Sequence, residues 1–311
     1  MPILVTGAAG FAGSHVVEAL AGYADTVGWT HHAPPPKDIE TLADWQRVDL
    51  LNPAEVRDAI ARIKPSGVIH CAGAPNVAHS WRDTVTPLSI NVLATHHLFD
   101  ALHRADVRCR VVVPGSATVY ALSMSALTEE SPIAPSNPYA VSKLAQEQLS
   151  LRAAHEDNVE VIITRSFNHT GPRQSAAFAA PNMARQIAMI EKGLAEPVIK
   201  VGNLEAQRDF TDVRDMARAY VTLLKTGAPS NVYNVSSGVA RVMRSVLDAL
   251  VVRARVEVLI ETDAELMRPS DTPILLGDST KLRQQTGWHP EIPFDQTLDD
   301  LLNYWRNVTI A

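Results

Sequence analysis

Cysteine is nearly absent. Cys71 and Cys109 are the only two in 311 residues, which gives neither a disulfide framework nor a metal-ligand pattern. Each lies in or beside an apolar run, so both read as buried thiols and no metal is expected. Long apolar runs are missing too. None approaches the length of a bilayer span, so no membrane partner is expected. The N-terminus passes directly into the apolar segment Ile3-Leu4-Val5, leaving no room for a signal peptide, and a cytoplasmic location is the default. Positive charge is scarce as well: the formal net charge is -6, which argues against a nucleic-acid partner. With 46% hydrophobic and 20% charged residues, the chain has room for one large α/β domain or two lobes.

The first half alternates. Apolar runs at 3–6, 26–29, 67–71, 110–114 and 160–164 are separated by helical patterns near 11–21, 53–63, 88–105 and 139–155. Alternation of this kind predicts an α/β fold with a parallel sheet wrapped by helices. Pro172, Pro181, Pro197, Pro269, Pro273, Pro290 and Pro293 break the second half into shorter elements. That half reads as a smaller lobe over the carboxyl ends of the strands, where ligands bind in this class. A helix from Asp212 and an apolar strand at Val232-Tyr233-Asn234-Val235 lead back to the main sheet. The predicted division is therefore interleaved: 1–165 with 209–235 for the main-sheet domain, and 166–208 with 236–311 for the other lobe.

Two motifs carry chemistry. Gly7, Gly10 and Gly13 sit where the first strand turns into the first helix, spaced G-x-x-G-x-x-G. That turn lets a pyrophosphate approach the backbone at a helix N-terminus, whose free N–H groups and positive dipole end attract phosphate. Further on, Tyr139-Ala140-Val141-Ser142-Lys143 places a phenol and an ammonium four apart, on one face of a helix. A nearby Lys⁺ favours the phenolate, and such a pair trades a proton with an alcohol or a carbonyl.

With these motifs, Val48-Asp49-Leu50, His70-Cys71-Ala72-Gly73 and Gly115-Ser116-Ala117-Thr118-Val119-Tyr120, the chain resembles the extended short-chain dehydrogenase/reductase family over nearly its whole length. The resemblance implies a Rossmann-type doubly wound parallel sheet with a smaller, interleaved C-terminal substrate-binding lobe. It makes Tyr139 the general acid/base and Ser116 the residue that hydrogen-bonds the reacting oxygen. Lys143 would lower the tyrosine pKa and hold the nicotinamide ribose. Phe11, Leu50, Cys71, Ala72 and Gly73 would line the cofactor, Asp49 would contact its adenine, and Asn91 would support the active-site hydrogen-bond chain. Ser116 as a turn cap and Asn91 as a helix cap are the competing readings.

The end of the second strand, Val27-Gly28-Trp29-Thr30-His31-His32, lacks the acidic residue that usually takes the ribose hydroxyls of NAD. Thr30, His31, His32 and Lys37 favour a 2′-phosphate, which makes NADPH the expected cofactor with NADH possible. His31 and His32 as ordinary loop residues are the alternative. No arginine in that stretch supplies a bidentate fork.

Three reactions share the family scaffold: 4,6-dehydration, epimerisation and reduction of nucleotide sugars. The dehydratases carry a carboxylate one or two places after the active-site hydroxyl, where Ala117 and Thr118 stand here. Segment 165–174 resembles the substrate loop of sugar-nucleotide enzymes, and 198–216 and 265–305 resemble the GDP-sugar branch. They imply Asn168, Lys200, Arg208 and Arg268 as substrate-binding residues, with Thr118 touching the hexose. Ion pairs with Asp209 or Asp271 are the other reading of the two arginines. The expected activity is NAD(P)H-dependent reduction of the C4 ketone of GDP-4-dehydro-6-deoxy-D-mannose. Ser116-Ala117-Thr118-Val119-Tyr120 also resembles nucleotide-sugar 4-epimerases that retain NAD. A non-catalytic NADP-binding regulator is the reading from another class. The resemblance further implies a homodimer packed through the helices near 88–105 and 139–155.

Overall fold

A strand covered on both faces by helices must be apolar on both sides, and the short strands of the main sheet are: Ile3–Thr6 and Gly67–His70 are buried at every position. The computed structural model describes residues 1–156, 159–267 and 272–308. Its strands are β1 (Ile3–Thr6), β2 (Thr26–Thr30), β3 (Asp44–Arg47), β4 (Gly67–His70), β5 (Arg110–Pro114), β6 (Glu160–Ser166), β7 (Asn168–Thr170), β8 (Val198–Val201), β9 (Gln207–Asp212) and β10 (Asn231–Val235), followed by three more. Seven form one sheet in the order β10-β6-β5-β4-β1-β2-β3, with every pair parallel. The chain winds outward from β1 in both directions. The crevice beyond the carboxyl ends of β1 and β4 is thus the topological switch point, where this architecture binds ligands.

Helices cover both faces. α1 (Phe11–Leu20) contributes Val16, Val17 and Leu20 to the core on one face, with Met216, Tyr220 and Leu223 of the later helix at 213–226. α2 (Pro53–Ile63) packs on the other face, capped by Asn52, whose side chain accepts the Glu55 N–H. Two single-turn segments, α3 (Val77–Ser80) and α4 (Val85–Pro87), lead into a π-helical turn at Leu88–Leu93 that continues as α5 (Ala94–Arg104). α6 (Pro138–Glu156) lies beside α5. α7 (Ala179–Glu191), α8 (Val213–Thr226), α9 (Met243–Val252), α10 (Thr280–Thr286) and α11 (Phe294–Asn307) follow.

The remaining strands build two small sheets. β9 pairs with β7, with β11 (Ala240–Val242) and with β13 (Ile274–Leu275); β8 pairs with β12 (Leu259–Thr262). A separate core of Met183, Ile187, Phe210, Leu247, Leu298 and Leu302 ties α7, α9 and α11 to them. Asp209 is a staple here. Its carboxylate accepts the Ser237, Gly238 and Gly277 N–H groups and the Ser237 hydroxyl. The five apolar runs of the first half are all strands, and the return from Asp212 is α8 and then β10. β3 and β12 were not legible: β3 is only partly buried and β12 is exposed throughout, so neither needs an apolar run. No helix among the described residues is long and apolar enough to cross a membrane.

Candidate active site

The glycine turn is built for close approach. Gly7 has φ +62°, and a Cβ there would stand 2.7 Å from the Ala72 backbone. A Cβ on Gly13 would stand 2.2 Å from the Gly7 carbonyl, which also accepts the Gly10 N–H at 2.9 Å. Gly10 caps α1 without a side chain, so the first-turn N–H groups face an open cavity lined by Ala9, Gly10 and Phe11. This cradle fits a dinucleotide pyrophosphate.

Ser116, Tyr139 and Lys143 are brought together and are nearly buried, at 7%, 8% and 8% exposure. Ser116 follows β5 and caps a short 3₁₀ turn, its Oγ accepting the Thr118 N–H and lying 2.9 Å from Thr118 Oγ1. The capping reading of Ser116 is therefore true. It leaves the hydroxyl beside Tyr139 as well, whose pKa it pulls down against burial. Tyr139 and Lys143 share one face of the first turns of α6. The Lys143 ammonium donates to the Pro114 carbonyl and to Gln146 Oε1, both at 2.7 Å.

One expectation is corrected. Lys143 was to lower the Tyr139 pKa; instead burial raises it, and the opposing pull comes from the hydrogen bond with Ser116. Tyr139 is a phenol at neutral pH. Burial takes Lys143 down to about 8.

Asn91 does not cap a helix. It is fully buried in the π-helical turn, accepting the Ala74 N–H at 2.8 Å and donating to Ser142 Oγ at 2.9 Å. Gly73 sits against it, since a Cβ there would be 3.0 Å from Asn91 Oδ1 and 3.9 Å from Lys143 Nζ. Behind these lies a chain that sequence reasoning missed. Gln146 donates to Thr95 Oγ1, Thr95 donates to the Asn91 carbonyl, and His70 bridges Thr95 at 2.9 Å and Thr6 at 2.7 Å. Because the Thr95 proton is committed to Asn91, His70 Nε2 carries the proton that bonds Thr95, and Nδ1 accepts from Thr6. Burial holds His70 neutral, with its pKa lowered to about 3. The i, i+3 spacing of Gln146 from Lys143 was the available signal.

On the adenosine side, the Asp49 carboxylate accepts the Leu51 N–H and stands 3.8 Å from His31 Nε2. The Leu50 carbonyl bonds His97. The Ala72 N–H donates to Thr6 Oγ1. Cys71 is partly exposed rather than fully buried, because β4 ends at His70 and the next residue turns into the crevice. Two features of the strand register were invisible in the sequence. An acid does stand near the end of β2, supplied by Asp49 across space. An arginine stands there too: Arg47 pairs with Thr30 in the parallel ladder, on the same sheet face, and is exposed.

Asn168, Lys200 and Arg208 line one cavity of about 210 Å³, together with His169, Phe178 and Phe210. The Asn168 Oδ1 is buried without a partner. The Arg208 guanidinium donates to the Gln207 and Thr272 carbonyls. Ser116, Tyr139 and Lys143 are not part of this lining. Arg268 lies outside the described residues, as does Asp271.

A seven-stranded parallel sheet, a glycine turn at its switch point and a serine–tyrosine–lysine cluster beside it define an extended short-chain dehydrogenase/reductase, an NAD(P)-dependent oxidoreductase class acting on nucleotide sugars. The family described as GDP-mannose 4,6 dehydratase matches residues 4–301, and the chain belongs to it. Over 308 residues it is 36% identical to GDP-6-deoxy-D-mannose reductase of Pseudomonas aeruginosa, covering 98% of this chain and 97% of that one. The solved structure of RMD from Pseudomonas aeruginosa complexed with NADPH is similar at TM-score 0.86 and 34% identity, covering 98% of this chain and 99% of that one. UDP-glucose 4-epimerase of Thermus thermophilus complexed with NAD is similar at TM-score 0.88 and 26% identity, covering 99% of this chain and 100% of that one.

Proposed function

We propose that this chain reduces the C4 ketone of GDP-4-dehydro-6-deoxy-D-mannose, using NADPH in preference to NADH, and forms GDP-D-rhamnose or its C4 epimer. The observation that carries this reading over dehydration is the surroundings of Ser116. Its hydroxyl meets the Thr118 hydroxyl, and Ala117 and Thr118 fill the places where a dehydrating carboxylate would stand. Glu129, the first acid that follows Ser116 in sequence, is spent elsewhere: Oε1 accepts the Asn234 N–H and its carbonyl accepts from Arg165.

In this reading the raised pKa of Tyr139 is an asset, because a ketone reduction needs the phenol form to donate a proton to O4. Ser116 holds O4 where negative charge develops. Lys143, a cation below about pH 8, faces the same group and holds the nicotinamide ribose. When bound, the dinucleotide supplies hydride. Gly7, Gly10, Phe11 and Gly13 hold its pyrophosphate, and Asp49, Leu50, Cys71, Ala72 and Gly73 wall the adenosine half. Thr30, His31 and Arg47 meet the 2′-phosphate, with Asn91 fixing the floor. Asn168, Lys200, Arg208 and Arg268 take the GDP diphosphate and so position the sugar from a distance.

We place the dinucleotide in 1–165 with 209–235, and the nucleotide sugar in 166–208 with 236–311. The chain works in the cytoplasm as a homodimer through the face that exposes Leu88, Leu93 and Val141. The competing reading is a 4-epimerase that retains NAD, favoured by the Ser116–Tyr120 segment and by the likeness to epimerase structures. Single-turnover analysis separates them: the reductase releases NADP⁺ once per product, whereas the epimerase ends each cycle with the cofactor unchanged.

A further inference from the structure

Arg173 is an outlier in three respects. It holds φ +70°, a left-handed conformation that glycine prefers, so the surrounding contacts impose it. It reaches from the loop after β7 across to the first helix and the segment that follows β2. One guanidinium end donates to Glu18 at 2.5 Å and to His15, and the other to Asp38 at 2.7 Å. Its Nε is buried with no partner at all. The backbone of the same loop is tied to α1, with the Pro172 carbonyl 3.0 Å from His15 Nε2, and His169 stacks on Phe11 with ring centroids 5.7 Å apart.

These contacts place Arg173 in the wall of a cavity of about 410 Å³ whose other side is Ala9, Gly10 and Phe11, the uncapped N-terminus of α1. We propose that Arg173 is a phosphate-binding residue for the dinucleotide, delivered from the substrate loop, and that its bridge to Asp38 is the contact it surrenders when the pyrophosphate lies on the glycine turn. This inference rests on the reading above that the turn holds NAD(P)H.

The charges support the exchange. Asp38 is exposed over most of its carboxylate, so its bridge is screened by water and is the weaker of the two. Glu18 is half-buried, and with Arg173 and His15 against it its pKa falls to about 2, so it stays ionised and keeps the guanidinium in place. A planar guanidinium held by one carboxylate presents its remaining N–H groups as a fork to phosphate oxygens. β7, the strand that leads into the Arg173 loop, carries Asn168 and His169, which line the other cavity. Cofactor phosphate and nucleotide-sugar pocket are therefore joined by one short stretch of chain, 168–173.

The test is binding, read by tryptophan fluorescence and calorimetry, with NADPH and NADH as probes on the full chain. Arg173→Ala is expected to weaken both dinucleotides by about tenfold or more, and equally, because the pyrophosphate is common to them. Arg173→Lys is expected to recover part of the loss. Asp38→Asn, a surface change that leaves the fold untouched, is expected to tighten both. Wild-type affinity for NADPH and NADH in Arg173→Ala, or no change in Asp38→Asn, overturns the proposal and leaves the reductase reading standing. A wild-type chain that binds neither dinucleotide overturns both. Loss of NADPH binding with NADH unaffected also overturns it, since that pattern belongs to the 2′-phosphate.

Discussion

The Lys143 ammonium is held 2.7 Å from Gln146 Oε1, one turn further along the same helix, and Gln146 hands the bond on to Thr95. The lysine is thus anchored from below by a neutral amide and not by a carboxylate. A carboxylate there would stabilise the charged ammonium strongly; an amide stabilises it weakly, and burial leaves Lys143 at about 8.

Gln146→Leu removes that acceptor. The ammonium then loses a stabilising bond while staying buried, so its pKa falls below about 8. The alkaline limb of the kcat/KM–pH profile should move to lower pH, with kcat down by roughly tenfold near neutrality. A merely structural loss would lower kcat across the whole profile and leave the limb where it was.

Tyr139→Phe removes the proton donor and leaves the ring in its buried slot. Turnover should fall by about 10²–10⁴-fold while NADPH binding changes little. Reduction at near wild-type rate would remove Tyr139 from the chemistry.

Arg47→Ala tests the 2′-phosphate assignment. Affinity for NADPH should drop by about tenfold and affinity for NADH should hold, measured by fluorescence titration. Equal affinity for NADPH before and after would return the 2′-phosphate to Thr30, His31, His32 and Lys37.

Acid should destabilise the fold through His70. Its folded pKa, about 3, lies below its ordinary 6.5, so the unfolded chain binds the proton more readily. Stability is therefore complete above about pH 6.5 and is lost as pH falls toward 3. Glu18, lowered from 4.5 to about 2, adds to the same slope at the acid end. Denaturant melts from pH 7 to 4 should show this loss, and His70→Gln should flatten it; an unchanged slope in that variant would assign it to other groups.

The sheet and the chemistry-bearing residues were readable because each has a local signature. β1, β4 and β5 are apolar runs, the glycines sit at one turn, and Tyr139 and Lys143 are one helical turn apart. What depends on register or on space was not readable. Arg47 meets Thr30 only because β3 lies beside β2, and β3 carries no pattern of its own at the sheet edge. His70 bridges Thr6 and Thr95, which are 64 and 25 residues away in the chain. The direction of the Tyr139 shift went the other way because spacing says nothing about burial, and burial outweighs the pull of Ser116.

The most direct measurement follows NADPH absorbance after the purified protein is added to freshly made GDP-4-dehydro-6-deoxy-D-mannose, with the sugar product identified by mass. The account predicts one NADPH oxidised for each molecule of a single GDP-6-deoxyhexose formed, with NADH slower. No oxidation of either cofactor, with the 4-keto sugar recovered intact, would contradict it and turn attention to 4-epimerisation of UDP- and GDP-hexoses.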